Sequence, residues 1–169
     1  STGRVRTLLK EDRDVRLGAL IIVGSVPTAV LGLVFKEYAH TLFSSIVIVG
    51  AMLMVTGTFL WLTKRVTTQG RGIREFGFGT ALIIGFCQGF AVMPGISRSG
   101  ATIAAGLFAG LDRETAARYS FLLSMPAIIG AEILSLRESF AAGAGIDSVT
   151  LWGTLAAFVA GLFALKVLL

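Results

Sequence analysis

The feature that most constrains this chain is a series of uncharged, apolar runs long enough to cross a lipid bilayer. The first run, Leu17–Phe35, has 19 residues. As an α-helix it would measure about 28 Å, close to the ~30 Å hydrocarbon core of a bilayer. Hydrophobic residues make up 54% of the chain even before its 21 glycines are counted, which is more than a soluble domain carries. The sequence therefore predicts an all-α fold, a polytopic bundle of transmembrane helices.

We expect four spanning helices and one broken helical element. The spans are predicted at Leu17–Phe35, Thr41–Thr63, Tyr119–Leu136 and Ser148–Leu165, with a turn at Lys36–His40 and loops at Lys64–Glu75 and Arg137–Asp147. Pro27 and Pro126 lie inside two of the spans, where neighbouring groups in a membrane bundle satisfy the freed backbone. Asp112 is predicted to cap the helix leading into the third span, with Glu114 near the positive end of its dipole.

Basic residues are concentrated in alternate connections of this predicted topology. The leader before Leu17 contains Arg4, Arg6, Lys10, Arg13 and Arg16, and the loop after the second span contains Lys64, Arg65, Arg71 and Arg74. The turn between them contains only Lys36. Because cytoplasmic loops are enriched in Lys and Arg, the pattern predicts that the leader and the second loop lie in the cytoplasm.

The broken element is the run Phe76–Leu111, which is too long for one span and is interrupted by Met93-Pro94-Gly95. It fits either a re-entrant hairpin or one discontinuous helix of two halves, and the sequence leaves both open. Arg98 is its only charged residue. An arginine at the bilayer centre costs about 2.5–3.5 kcal/mol on insertion scales, so we interpret Arg98 as functional.

The residues around Arg98 have the chemistry of an anion site. Ser97 or Ser99 is predicted to cap a half-helix that starts at about Gly100, whose first N–H groups would have no backbone partner. Such a helix start carries partial positive charge and binds phosphate. Gly95 and Gly100 are expected to let a ligand approach the backbone closely.

Side chains add to this predicted site. Arg98 supplies a planar, permanently charged fork suited to two phosphate oxygens. Ser97, Ser99 and Thr102 supply hydroxyl groups, with Thr102 expected on the same side of the first turn. The alternative is a simple kink in which Arg98 extends to the membrane interface. An arginine between two serines and two long uncharged runs favours the anion site, without identifying the anion.

Three further residues are weaker candidates. Gln88 is polar within an apolar run and would bond either the loop or a neighbouring helix. Glu132 lies inside a span, either as a functional group or near the interface. No cluster of metal ligands surrounds His40, so no metal site is expected there. The single cysteine, Cys87, cannot form an internal disulfide.

The stretch Gln88–Thr102, with its Pro-Gly-x-Ser-Arg-Ser-Gly-x-Thr pattern, resembles the second signature of the bacterial undecaprenyl-diphosphate phosphatases, the bacitracin-resistance family. The segments Ile22–Phe35 and Tyr119–Pro126 are also similar to that family, so the resemblance covers essentially the whole chain. It implies a multi-pass enzyme of the bacterial plasma (inner) membrane, built from inverted repeats with re-entrant hairpins. Such an enzyme removes the terminal phosphate of undecaprenyl diphosphate and so recycles the lipid carrier for cell-wall synthesis.

The resemblance also implies roles for individual residues. Ser97, Arg98 and Thr102 match polar residues of the family's site and are expected to be catalytic. The substrate-binding residues expected beside them are Gly95, Ser99, Gly100 and Gln88. Mg or Ca is the expected cofactor, and the expected partners are the lipid diphosphate, the bilayer and a second copy in a homodimer, with no nucleic acid.

The family's first signature, Glu-x-x-x-Glu followed by Pro-x-Ser-Ser-Thr-Gly-His, does not occur in this sequence. Most ligands of the metal are expected in that missing part, and the family's closing helix is also expected to be missing after Leu169. We therefore expect residues 1–169 to be one membrane domain, a fragment that is inactive alone.

The alternative function is a transporter or flippase for a polyprenyl phosphate or another anion. Secondary transporters also place broken helices with their N-termini towards an anion. Acidic residues and a nucleophile upstream would favour the enzyme, whereas a second Gly/Ser-rich broken helix there would favour transport.

Overall fold

The fold is known from a computed structural model that describes residues 13–66, 70, 72–73, 75–141, 143 and 147–168. Within that part of the chain, one short 3-10 helix and seven α-helices occur. In chain order they are α1 (Arg13–Lys36), α2 (Ala39–Ser44), α3 (Ile46–Leu62), the 3-10 helix (Thr63–Arg65), α4 (Phe78–Phe90), α5 (Arg98–Phe108), α6 (Arg113–Ala141) and α7 (Ser148–Leu168). The basic residues Arg4, Arg6, Lys10, Arg71 and Arg74 of the predicted topology lie outside the described residues.

Three of the described helical segments are long and apolar enough to cross a membrane. They are Asp14–Lys36, Ile46–Arg65 and Arg113–Ala141. They confirm the helical membrane bundle and the first three predicted spans. Ser148–Ala164 is apolar but shorter, so the fourth span stays a prediction.

Contacts divide the chain into two compact units, Ser1–Gly130 and Ala131–Leu169. The first unit holds every predicted site residue. The second holds the end of α6 and all of α7, and nearly all of its described side chains are exposed, including Glu132. The single domain expected over residues 1–169 stays a prediction.

Two boundaries differ from the sequence-based expectation. The second span does not start at Thr41, because the chain is extended at Ser45 (φ −98°, ψ 105°) and α3 begins after it, with the Ser45 hydroxyl accepting a hydrogen bond from the N–H of Ile48. Helix α6 continues to Ala141, through residues that were expected in a loop from Arg137. No glycine or proline interrupts that stretch, so the helix has no reason to end there.

Helices α5 and α6 form an antiparallel pair with a regular register. Three contacts occur four residues apart on each helix: Arg98 with Ser124, Thr102 with Ser120, and Gly106 with Ala116. The connection is short because α5 ends in a Schellman motif. There the N–H of Leu111 bonds the carbonyl of Gly106, the N–H of Gly110 bonds that of Leu107, and Gly110 has φ +85°.

Helix α4 runs along α6 in the same direction as α6, whereas α5 runs antiparallel to α6. Just before α4, the ring of Phe76 contacts the ring of Tyr119 edge to face, with centroids 4.5 Å apart. Near the end of α4, the Gln88 amide reaches the carbonyl of Leu123, four residues further along α6. The run 76–111 is therefore a helical hairpin, and not one discontinuous helix. At about 1.5 Å per residue its two arms measure roughly 20 Å and 16 Å, too short to cross a bilayer.

The hairpin is held against α1 by close backbone packing. A Cβ added at Gly85 would overlap the carbonyl oxygen of Gly24 and lie 2.8 Å from Cγ of Pro27. The Thr28 hydroxyl donates to the Gly85 carbonyl across the same contact at 2.9 Å. The buried core around this contact consists of Leu17, Leu20, Phe76, Ala81, Ile84, Leu107, Leu111, Ala116, Tyr119 and Leu123.

The predicted cap of α6 is confirmed. The Asp112 carboxylate accepts a hydrogen bond from the N–H of Thr115 at 2.7 Å and another from the Thr115 hydroxyl at 2.8 Å. Glu114 lies in the first turn, as expected. The Thr115 N–H is the main cause that holds the pKa of the Asp112 carboxyl below its usual value.

Asp112→Ala is expected to lower the free energy of unfolding by about 0.5–2 kcal/mol, the usual worth of a helix cap. Because the folded-state pKa is depressed, the ionised cap contributes fully above the ordinary pKa of about 3.9, and the contribution is lost as pH falls through the lower folded value. Thermal unfolding in detergent across this range measures both effects. Asp112→Asn keeps a capping oxygen without a titrating group, so equal pH dependence in that variant would contradict this account.

Candidate functional site

A tight turn joins the two arms of the hairpin. The N–H of Ile96 bonds the carbonyl of Met93 at 3.2 Å, with Pro94 and Gly95 between them. Gly95 has φ +89°. Proline followed by a glycine of positive φ is the pattern of a type II turn. The Pro-Gly pair therefore reverses the chain and aims the start of α5.

The two glycines of the predicted site face α3. A Cβ at Gly95 would overlap the carbonyl oxygen of Val49, and one at Gly100 would lie 3.5 Å from Cδ1 of Leu60 and 3.1 Å from the side chain of Ser97. We expected these glycines to open the backbone to a ligand. The missing side chain of Gly95 instead allows the turn to lie directly against α3, whereas a Cβ at Gly100 would be tight only against Ser97.

Thr56 of α3 braces the turn, a role that was not predicted from the sequence. Its hydroxyl donates to the carbonyl of Gly95 at 3.3 Å and accepts from the N–H of Ser97 at 3.2 Å. It is the buried residue of α3, with 8% of its surface exposed. The only signal in the sequence is a threonine within an apolar span. The contact fixes the backbone on both sides of Ile96.

Ser97 caps α5, as one of the two predicted alternatives. Its hydroxyl accepts from the N–H of Gly100 at 3.2 Å, and its carbonyl accepts from the N–H of Ala101 at 2.8 Å. The N–H groups of Arg98 and Ser99 have no hydrogen-bond partner within the described structure. Ser97 and Ser99 are exposed beside them. Two free N–H donors at the positive end of a helix form the core of an anion cradle.

Arg98 is the first residue of α5 and lies at this cradle. Its side chain is half-buried, and Nη1 donates to the carbonyl of Ser124 on α6 at 3.4 Å. No carboxylate pairs with it among the described residues, so its charge is not neutralised by the first unit. A guanidinium has five N–H donors, which leaves four for a ligand. One anchored nitrogen and a free fork suit a phosphate group.

Thr102 and Gln88 do not reach this exposed surface. Thr102 is 1% exposed, and its hydroxyl bonds the Ser120 hydroxyl and the carbonyl of Arg98. Gln88 is 2% exposed and donates to the Thr28 hydroxyl and the Leu123 carbonyl. Both residues join helices, which is the second of the two roles considered for Gln88. They position the hairpin and do not line the cradle, contrary to the expected direct contact of Thr102 with phosphate.

The residues at the cradle do not fit a divalent metal ion. In the described part of the chain, no group of three or more His, Cys, Asp or Glu side chains is placed to hold one. The donors at the start of α5 are N–H groups and a guanidinium, which attract anions and repel cations. The site by itself is therefore suited to an anion.

The brace can be tested by replacing Thr56. Thr56→Val keeps the shape but leaves the Gly95 carbonyl and the Ser97 N–H unpaired, at a cost of about 1–3 kcal/mol. We expect at least a tenfold weaker binding of inorganic diphosphate by the chain in detergent, measured by titration. Thr56→Ser keeps the hydroxyl and is expected to bind as the wild type does. Equal weakening in both variants would show that the hydroxyl is not responsible.

The sequence of the chain matches a known protein family. The sequence model described as bacitracin resistance protein BacA matches residues 2–169. A relative named undecaprenyl-diphosphatase, from Desulforapulum autotrophicum, is 71% identical over 169 residues, which are 100% of this chain and 61% of the relative. A second of that name, from Desulfosudis oleivorans, is 59% identical over 95% of this chain and 59% of its own length.

A third relative of the same name, from Methanothermobacter thermautotrophicus, is 44% identical over 89% of this chain and 84% of the relative. The chain thus spans about three fifths of the length of the first two relatives. The family match extends over the spans, the hairpin and the cradle alike. The chain belongs to the BacA family of bacitracin resistance proteins.

Proposed function

We propose that this chain supplies the diphosphate-binding half of a membrane undecaprenyl-diphosphatase. The observation that carries the proposal is the start of α5, where two free N–H groups and an unneutralised Arg98 meet within a membrane hairpin. A diphosphate is an anion that such a group of donors binds. The relatives named undecaprenyl-diphosphatase connect that anion with a lipid.

In this proposal the residues of the chain bind and orient the diphosphate. The N–H groups of Arg98 and Ser99 and the hydroxyl of Ser97 donate to phosphate oxygens. The Arg98 guanidinium stabilises the negative charge that develops as water attacks the terminal phosphorus and the phosphoanhydride bond breaks. The products are a prenyl monophosphate and inorganic phosphate. Catalysis by this half is therefore electrostatic and needs no nucleophile from the described residues.

The remaining parts of the proposal concern the surroundings of the site. We assign the protein to the bacterial plasma membrane, with the N-terminal leader and the loop around Lys64 on the cytoplasmic side because of their basic residues. A homodimer is the proposed assembly. Mg or Ca would be held by acidic residues in the additional length of the relatives, since the cradle itself does not fit a cation.

Phosphate release tests the proposal. Undecaprenyl diphosphate in detergent, with Mg or Ca, is supplied to the 169-residue chain and to a version extended upstream to the length of its relatives. We expect release only from the extended protein. Strong release from the 169 residues alone would contradict the assignment of half a site. Binding of the lipid without release by the extended protein would favour the transporter.

A further inference from the structure

An elongated apolar groove runs along α5 from the same turn that carries the cradle. It has a volume of about 290 Å³ and lies between α3, α4 and α5. The residues that line it are Val55, Thr56, Phe59, Cys87, Phe90, Ile96, Ala101, Ala104, Ala105 and Phe108. From Ile96 to Phe108 it follows the full length of α5, roughly 16 Å at about 1.5 Å per residue.

The lining of the groove excludes a polar occupant. The hydroxyl of Thr56 is already bonded to the Gly95 carbonyl and the Ser97 N–H. The thiol of Cys87 is the only other polar group there, and a thiol is a weak hydrogen-bond former. Three alanines of α5 line the groove together with the rings of Phe108 of α5 and Phe59 of α3, whose centroids are 6.4 Å apart. Within a bilayer such a surface accommodates hydrocarbon by close van der Waals packing, because lipid tails are as apolar as the lining.

The position of the groove identifies which hydrocarbon it suits. Ile96 lines the groove and is followed directly by Ser97 and Arg98, so a cationic cradle and an apolar channel share one end. A ligand that fits both must carry a negatively charged head joined to an extended apolar chain. We infer that the groove holds the first isoprene units of a prenyl diphosphate whose head group lies in the cradle. The inference rests on the proposed function and adds where the chain of the substrate lies.

Cys87 provides a direct probe, because it is the only cysteine of the protein and lines the groove. The 169-residue chain in detergent is treated with N-ethylmaleimide, and modification is followed by intact mass. We expect saturating farnesyl diphosphate to slow modification at least tenfold. Inorganic diphosphate, which has no chain, is expected to leave the rate unchanged. Equal protection by inorganic diphosphate would overturn the inference.

Two variants test the two parts of the proposed binding mode, the head group in the cradle and the apolar chain in the groove. Arg98→Ala is expected to raise the farnesyl diphosphate concentration needed for half-protection at least tenfold. Ala105→Phe fills the groove midway, so the ratio of modification rates with and without farnesyl diphosphate is expected to fall to about one. Ala105→Leu is the milder variant if the first does not fold. Ala117→Phe, the same change at an exposed alanine of α6, is the control and is expected to be protected as the wild type is.

Phosphatidylglycerol distinguishes a bilayer lipid from a prenyl diphosphate as the occupant. If it protects Cys87 at the same concentration, and protection does not depend on Arg98, the groove belongs to bulk lipid and the inference fails. The inference about the groove and the proposed phosphatase function can also be contradicted separately. Protection of Cys87 without phosphate release by the extended protein would leave the groove standing. Phosphate release with an unchanged KM in the extended Ala105→Phe variant would overturn only the groove.

Discussion

Arg98→Ala in the extended protein should reduce phosphate release by tenfold to a hundredfold or more. Each hydrogen bond between a charged donor and a phosphate oxygen is worth about 1.5–3 kcal/mol, and every ~1.4 kcal/mol is a factor of ten in rate. Part of the loss is expected in KM, because the guanidinium also binds the diphosphate before reaction, and the rest in the rate constant of the chemical step, because negative charge on the leaving group grows as the phosphoanhydride breaks.

Arg98→Lys separates the charge from the geometry. Lysine keeps the positive charge but cannot anchor one nitrogen on the Ser124 carbonyl while presenting a planar fork to phosphate. We expect an activity between that of the wild type and that of the alanine variant, measured as initial phosphate release at saturating substrate. Full activity in both variants would remove Arg98 from the site and with it the main support for the proposed function.

The second large effect is expected at Gly85. In Gly85→Ala the new methyl group would overlap the Gly24 carbonyl, and backbone atoms cannot rotate away as a flexible side chain does. We expect α1 and α4 to be forced apart, at a cost on the order of 1–3 kcal/mol or more in the free energy of unfolding. The Thr28 bond to the Gly85 carbonyl would be strained at the same time.

Gly79→Ala is the matched control for this change. Gly79 lies in the same helix, and a Cβ there would meet nothing within 4 Å. Its replacement should leave the free energy of unfolding unchanged, or raise it by up to about 0.5–1 kcal/mol, because alanine is the better helix former. Thermal unfolding of both variants in the same detergent gives the comparison, and a similar loss in both would contradict the close contact.

The parts of the fold that could be predicted from the sequence depend on local chemistry. Uncharged runs of membrane length predict the spans. Asp112 and Ser97 predict helix starts, because a capping side chain bonds only to backbone groups in the residues that directly follow it. The break at Pro94-Gly95 was equally clear. Whether that break makes a hairpin was not, because the answer depends on where α6 packs against both arms.

The roles that the sequence could not give involve partners far away in the chain. Thr102 is at the expected place in α5, but its hydroxyl bonds Ser120 because α6 returns antiparallel to α5. Gln88 bonds Thr28, which is 60 residues away. Thr56 has nothing in its neighbourhood that marks it as the brace of a turn. The group that a side chain contacts at a helix–helix interface depends on how the helices pack. No local sequence pattern specifies that packing.

The short arms of the hairpin bear on how the protein enters the membrane during synthesis. Neither arm is long enough to be released sideways from a protein-conducting channel as an independent span. Helix α1 leaves the ribosome before the hairpin and offers the contact at Gly24, but the α6 surface that receives Arg98 is translated after both arms. We therefore expect the hairpin to remain near the channel until α6 emerges, and Arg98 to stay accessible to water in a nascent chain arrested when the hairpin, but not α6, has left the ribosome.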